Sequence, residues 1–328
     1  MKELQNLLVN SYSGDYTKIV KYIKIFLTEN SSAKIILQKV DNKKHNVIAI
    51  FGQPKFLINC HMDTVPASGD WKTDPHKLVI KDKKAYGLGT SDTKGNLYAV
   101  LKAVQKTKPN NLMLLFSTDE ECGSHISGVR HFIKSDYIKG ITNAIVCEPT
   151  ECKFVNRHKG YYSFVIDVIG KPSHSSLTKQ PNAIVKSAEI ITQLFRKEFN
   201  IGKIFGGTQG NVTAANCQFH ISCRTYLSVE KKEAEIKSII KNNKSVTFRT
   251  KFVGIPFISN GRKFPFVNKE FYEAPYWTEA ALFKEVGINS IVYGAGSVRQ
   301  AHSQNEFVKL RELKKCEEFF INYIEKIK

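Results

Sequence analysis

Three short apolar runs in the first half of the chain are each followed by histidine or carboxylate residues. The runs and the groups after them are 56–60 with His61 and Asp63, 112–117 with Glu120 and Glu121, and 144–147 with Glu148. Apolar runs of this length are typical of buried strands. Because an open α/β sheet binds its ligands at the carboxyl ends of its strands, we expect these groups to converge at one edge.

Helical periodicity separates the runs, at 95–106 and 128–134. This alternation of strands and helices predicts an α/β fold with a mostly parallel sheet covered by helices. The same pattern returns late in the chain, with a strand at 290–293 and a final helix at 309–326. We therefore predict one catalytic domain that is built from both ends of the chain.

The middle of the chain has a different pattern. Apolar and polar residues alternate at 161–170 and 216–227, as they do in half-exposed antiparallel strands. We predict that residues 159–255 form a smaller α+β domain, inserted into a catalytic domain that comprises 1–158 and 256–328.

The net charge of +19 is a candidate signal for a nucleic-acid partner. Only eight of the 49 basic residues are arginines, and the lysines are spread singly or in pairs among Glu and Asn. Proteins that read phosphates and bases specifically favour the guanidinium group. We interpret the charge as a solvated lysine-rich surface, with a functional basic face as the alternative.

Other classes of protein are excluded by composition. No apolar run approaches the roughly 18 residues of a membrane-spanning helix, and the first residues do not resemble a secretory signal. Seven cysteines without a CxxC pair indicate reduced thiols rather than a disulfide framework. We expect a cytoplasmic protein with neither a nucleic-acid nor a membrane partner.

Two further residues extend the candidate site. Asp92 lies in a glycine-punctuated turn at 87–95, and His302 follows the late strand. Taken singly, each residue has an ordinary alternative, such as a hydrogen-bonded surface histidine or a helix cap. Together, two histidines and several carboxylates form a ligand set suited to Zn²⁺, with Co²⁺ or Mn²⁺ as alternatives.

These motifs resemble the two-zinc aminoacylase/carboxypeptidase family, which includes acetylornithine deacetylase and succinyl-diaminopimelate desuccinylase. Six stretches match in family order over about residues 56–305. They are 61–66, 87–95, 119–121, 148–150, 170–176 and 296–302.

The resemblance implies two divalent metal ions, zinc or cobalt. His61 and Glu148 would bind one ion, Glu121 and His302 the other, and Asp92 would bridge them.

It also implies roles for the residues beside the metals. Asp63 would hold the His61 ring, and Glu120 would be the general base that takes a proton from water and passes it to the leaving amine. The peptide between Asp92 and Thr93 is a candidate for the cis form, which some family members have.

The inserted domain resembles the family's lid and dimerisation domain, which implies a homodimer. His174 would reach the active site of the partner subunit and stabilise an oxyanion, unless it is only a turn residue. Arg224 would grip the substrate carboxylate, and Asn211 would order that region. Gly296 and Ser297 would also contact substrate.

The segments 206–211 and 276–280 are more similar to acetylornithine deacetylase than to the desuccinylase. One departure is Ser222, where the family usually has Asp. The resemblance implies a deacetylase for an N-acetylated basic amino acid, with N-acetylornithine and arginine biosynthesis as the first assignment. Acetylcitrulline or acetyl-lysine deacetylase, desuccinylase, dipeptidase or carboxypeptidase, and a binding protein without catalysis stay open.

Overall fold

The computed structural model describes residues 1–9, 15–121, 127–177, 179–241, 243–261, 264–267 and 269–327. The chain divides into two compact units. The first unit comprises Met1–Arg157, Ile258–Ala274 and Thr278–Lys328, and the second comprises His158–Phe257 and Pro275–Trp277.

Helices and strands alternate along the chain. The helices are α1 (Lys2–Val9), α2 (Thr17–Asn30), α3 (Lys94–Lys106), α4 (Gly128–Phe132), α5 (Ala183–Phe195), α6 (Val229–Ile240), α7 (Ala280–Glu285) and α8 (Leu310–Lys326), with a short 3₁₀ turn at Asp136–Ile138. The strands are β1 (Lys34–Lys39), β2 (His45–Gly52), β3 (Phe56–His61), β4 (Val79–Lys81), β5 (Lys84–Tyr86), β6 (Asn111–Ser117), β7 (Asn143–Val146), β8 (Phe154–His158), β9 (Gly160–Ile169), β10 (Asn200–Gly206), β11 (Asn216–Thr225), β12 (Val246–Gly254), β13 (Phe257–Ile258), β14 (Phe271–Ala274), β15 (Asn289–Val292) and β16 (Phe307–Lys309).

The main sheet has a parallel centre. Its strand order in the described residues is β1-β2-β6-β3-β7-β15-β8-β13, and β14 pairs with β8. The pairs β6/β3, β3/β7 and β7/β15 are parallel, whereas β1/β2, β2/β6 and β15/β8 are antiparallel. The predicted fold class, a mostly parallel sheet with helices, is confirmed.

Helices cover this sheet through their apolar faces. In α8 the buried residues Leu313, Cys316, Phe320, Tyr323 and Ile324 recur every three or four positions, as an amphipathic helix requires. They join one core with α1, α2, α3 and alternate residues of the central strands. Short helices α4 and α7 pack on β2 and on β7 and β15.

A small antiparallel sheet of order β16-β5-β4 belongs to the first unit. Phe307 pairs with Tyr86 and Lys309 with Lys84. This register places the residue before β16, Glu306, beside the turn that follows β5.

The second unit has its own sheet, β10-β11-β9-β12, in which all neighbours are antiparallel. Buried and half-exposed residues alternate along β11, and the buried set packs with apolar residues of α5 and α6. Among the described residues, no helix has the length and apolar character needed to cross a bilayer.

Candidate metal centre

Strand pairing brings together the carboxyl ends of the three predicted strands. In the parallel register of β3 and β6, His61 stands opposite Ser117, so the turn that carries Glu120 and Glu121 begins beside His61. Strand β7 pairs with the other side of β3, and Glu148 lies two residues after its end. The convergence at one sheet edge is therefore a consequence of three adjacent parallel strands.

Two groups of potential ligands share one residue. The ligand atoms of His61, Asp92 and Glu148 lie within 4.8 Å of one another, as do those of Asp92, Glu121 and His302. His61 Nε2 is 3.0 Å from Asp92 Oδ1, whereas His302 Nε2 is 3.6 Å from Asp92 Oδ2. Each histidine thus faces a different oxygen of the same carboxylate, which is the arrangement that a bridging ligand requires.

Glu120 belongs to a third group. Its carboxylate, His61 and Glu121 offer ligand atoms that also lie within 4.8 Å of one another. By distance alone, Glu120 is a possible ligand as well as a possible unliganded base beside the metals.

The pKa values reflect crowded carboxylates. Burial raises the pKa of Glu148 well above its usual range, and Asp92 adds repulsion. Burial and Glu121 act in the same way on the pKa of Glu120. Divalent cations would relieve this repulsion, and the nitrogen and oxygen donors present fit zinc.

The pKa values of the two histidines are also raised, but by their carboxylate partners and not by burial. The hydrogen bond to Glu121, at 2.9 Å from His302 Nε2, raises the pKa of His302 to about 9. For His61, burial acts to lower the pKa, but the nearby Asp63 and Asp92 carboxylates outweigh it and raise the pKa well above its usual range.

Asp63 makes contacts that differ from the expected one. His61 Nδ1 is 3.1 Å from the backbone carbonyl oxygen of Asp63 but 3.7 Å from its carboxylate. The carboxylate instead accepts from the backbone N–H of Glu121 at 3.0 Å and of Glu120 at 3.4 Å. A proton on Nδ1 donated to the carbonyl leaves Nε2 for a metal, while the carboxylate fixes the Glu120-Glu121 turn.

The turn that carries Asp92 is tightly packed. The peptide between Asp92 and Thr93 is cis, as the resemblance implied. Gly89 has φ +83°, and a Cβ there would lie 2.7 Å from Thr64 Cγ2, so this position requires glycine.

Gly296 and Ser297 lie against this turn. The Ser297 backbone N–H donates to Ser91 Oγ at 2.9 Å, and Ser297 Oγ donates to Glu151 at 2.9 Å. A Cβ on Gly296 would lie 2.5 Å from Ser91 Oγ. In this structure both residues therefore support the Asp92 turn; their contact with substrate stays a prediction.

Three buried charged residues around the centre were not assigned a role from the sequence. Lys94 Nζ has no hydrogen-bond partner among the described residues, and burial lowers its pKa to about 8. Glu279 accepts from Ser117 Oγ at 3.1 Å, and burial raises its pKa to about 8. The third is Glu306, which contacts the Asp92 turn. Lys94 lies in the matching stretch 87–95 and Glu279 in the segment 276–280, whereas no sequence motif pointed to Glu306.

The remaining predicted residues belong to the second unit. His174 is exposed, and its Nδ1 lies 2.8 Å from Ser176 Oγ. The carbonyl oxygen of Asn211 accepts from Ser175 N–H at 3.0 Å, so Asn211 is close to His174. Arg224, also exposed, places its guanidinium 4.8 Å from the centre of the Tyr161 ring.

Comparisons with known proteins agree with this architecture. The family model described as peptidase family M20/M25/M40 matches residues 57–326. The acetylornithine deacetylase of Vibrio parahaemolyticus is 31% identical over 315 residues, covering 82% of this chain and 81% of that protein. The N-acetyl-L-citrulline deacetylase of Xanthomonas campestris is 28% identical over 303 residues, with the same two coverages.

Among solved structures, a tripeptidase from Staphylococcus aureus superposes with a TM-score of 0.80 at 17% identity, and the match covers 99% of this chain and 96% of that one. At this identity the likeness concerns the fold.

Proposed function

The chain belongs to peptidase family M20/M25/M40 and is therefore a hydrolase; we propose that it removes the acetyl group from an N-acetylated basic amino acid, N-acetylornithine first. The observation that carries the proposal is the pair of ligand groups that share Asp92, with Glu120 beside them. Relatives that are named as acetylornithine and N-acetylcitrulline deacetylases support this substrate class.

The proposed site holds two divalent cations. His61 and Glu148 would hold one, Glu121 and His302 the other, and Asp92 both, with zinc as the ion best suited to these donors. When bound, the cations would polarise the amide carbonyl and lower the pKa of a water molecule.

Glu120 is the proposed general base. It would accept a proton from the attacking water and return it to the leaving amine, so that amide cleavage yields acetate and the free amino acid. A raised pKa suits this exchange, because the group must hold a proton between the two transfers. The carboxylate of Asp63 would keep the turn of Glu120 in place through the two backbone amides.

Residues of the second unit are proposed to complete recognition. Arg224 would bind the substrate carboxylate with its planar guanidinium, which lies over the Tyr161 ring at 4.8 Å from its centre. His174, with Asn211 nearby, would stabilise the oxyanion in the partner subunit of a homodimer.

We also propose that the enzyme acts in the cytoplasm, in arginine biosynthesis. In the part of the chain that the structure describes, six cysteines are free and buried, which suits a reducing compartment.

A substrate panel on the zinc-loaded protein tests the proposal. We expect kcat/KM for N-acetylornithine to exceed the values for N-acetylcitrulline, N-acetyl-lysine, succinyl-diaminopimelate, dipeptides and tripeptides, and chelation to abolish turnover. A preference for N-acetylcitrulline would select the second candidate, which the relative from Xanthomonas campestris favours. Turnover of peptides alone would overturn the deacetylase assignment.

A further inference from the structure

Glu306 is a buried carboxylate that immediately precedes β16, with 1% of its surface exposed. Its backbone is fixed by the pairing of β16 with β5, and its carbonyl oxygen accepts from Gly87 N–H at 3.0 Å. The side chain therefore starts from a rigid strand end and points toward the turn that carries Asp92.

The carboxylate of Glu306 accepts three backbone hydrogen bonds from this turn. Oε2 accepts from Gly89 N–H at 2.7 Å, and Oε1 accepts from Ser91 N–H at 2.7 Å and from Asp92 N–H at 2.9 Å. Short bonds from several backbone amides to one carboxylate are among the strongest that a loop can make.

These bonds act on the one ligand that both metals would share. We propose that Glu306 is a positioning residue, which fixes the backbone of the Asp92 turn so that the two Asp92 oxygens face His61 and His302. The inference rests on the proposed metal-dependent function of this site. Glu306 itself contacts neither histidine in the hydrogen bonds described, and it acts through Asp92.

The three N–H groups require a side chain that only accepts hydrogen bonds. A carboxylate offers two oxygens and no proton to three converging N–H groups. A glutamine would accept hydrogen bonds only through its single oxygen, and its own NH₂ group would face the remaining N–H donors. An aspartate keeps the charge, but it is one methylene shorter and does not reach all three amides at once.

The experiment compares zinc binding by Glu306→Gln, Glu306→Asp and the unchanged protein, measured by competition with a chelator. We expect zinc affinity to fall about 10- to 100-fold in Glu306→Gln and by a smaller factor in Glu306→Asp. Cobalt-loaded protein should show an altered visible spectrum in Glu306→Gln, because the bridging ligand has moved. Glu317→Gln is the control, since this half-buried carboxylate on α8 pairs with Lys106 on α3 and is not one of the proposed ligands.

A role limited to stability gives a different result. It would lower the melting temperature of the metal-free variants but leave zinc affinity and the cobalt spectrum of the folded protein unchanged, which would overturn the proposal. If Glu306→Gln does not fold, unchanged zinc affinity in Glu306→Asp would overturn it in the same way. If the unchanged protein itself fails to bind two ions, the proposed function fails instead.

Discussion

The two units differ in how they accommodate buried charge. Among the described residues, the second unit buries His158 and Lys232. Lys232 is neutralised locally, because its Nζ donates to Glu235 at 2.6 Å and lies 4.3 Å from the centre of the Phe199 ring. The first unit buries a larger set, which comprises His61, Asp63, Lys94, Asp119, Glu148, Glu279, Glu306 and Glu312.

The difference indicates which unit carries the chemistry. The pair of Lys232 and Glu235 lies within α6, so the buried charge is balanced one turn away on the same helix. In the first unit several carboxylates repel one another at one sheet edge, and backbone amides hold two of them, Asp63 and Glu306. Perturbed acids that gather in this way are typical of catalytic sites.

The sharpest prediction concerns Glu120 in the first unit. Glu120→Ala should keep two bound metals but lose about 10²- to 10⁴-fold in kcat, because the general base is removed. The measurement combines metal analysis with steady-state kinetics, and Glu318→Ala, an exposed carboxylate on α8, is the control. Loss of metal together with activity would make Glu120 a ligand, as its distances also allow.

A core substitution in the second unit should separate stability from metal binding. Phe219 is fully buried in the centre of that unit's core, so Phe219→Ala should lower the free energy of unfolding by about 3–5 kcal/mol. The folded variant should bind as many zinc ions as the unchanged protein, because all five proposed ligands belong to the first unit.

Phe205→Ala serves as the matched control for that experiment. Phe205 is 59% exposed on β10, and the expected change in unfolding free energy is within about 0.5 kcal/mol. A folded Phe219→Ala variant without zinc would break the distinction between the two units.

A smaller effect is expected from Glu279. Burial raises the pKa of Glu279 to about 8 in the folded metal-free protein, against a usual 4.5. Between pH 4.5 and pH 8 the folded protein therefore keeps a proton on Glu279 that the unfolded chain releases. Unfolding free energy should therefore fall as pH rises, by at most ~1.4 kcal/mol per pH unit from this group.

Urea titrations of the metal-free protein at several pH values between 4.5 and 8 test this pH dependence. Glu279→Gln should flatten the decline, while Glu318→Gln at an exposed site should leave it unchanged. An identical slope in the unchanged protein and Glu279→Gln would show that Glu279 is not protonated in the folded state.

The periodic elements were predictable from local sequence. The strand predicted at 112–117 is β6, Asn111–Ser117, and the helix predicted at 309–326 is α8, Leu310–Lys326. Strand β10 was missed. Its residues are almost all exposed, so no apolar alternation marks it, and it forms an edge strand by pairing with β11.

The sequence by itself determined which histidines and carboxylates follow the strands, and that the motifs that carry them occur in the same order as in the family. Tertiary structure alone decided that the Asp63 carboxylate binds the Glu120-Glu121 backbone and that Glu306 holds Asp92, from which it is 214 residues away. Periodicity reports the local burial of neighbouring residues. Hydrogen bonds between a side chain and a distant backbone depend instead on which strands pair, and that is fixed only when the whole core packs.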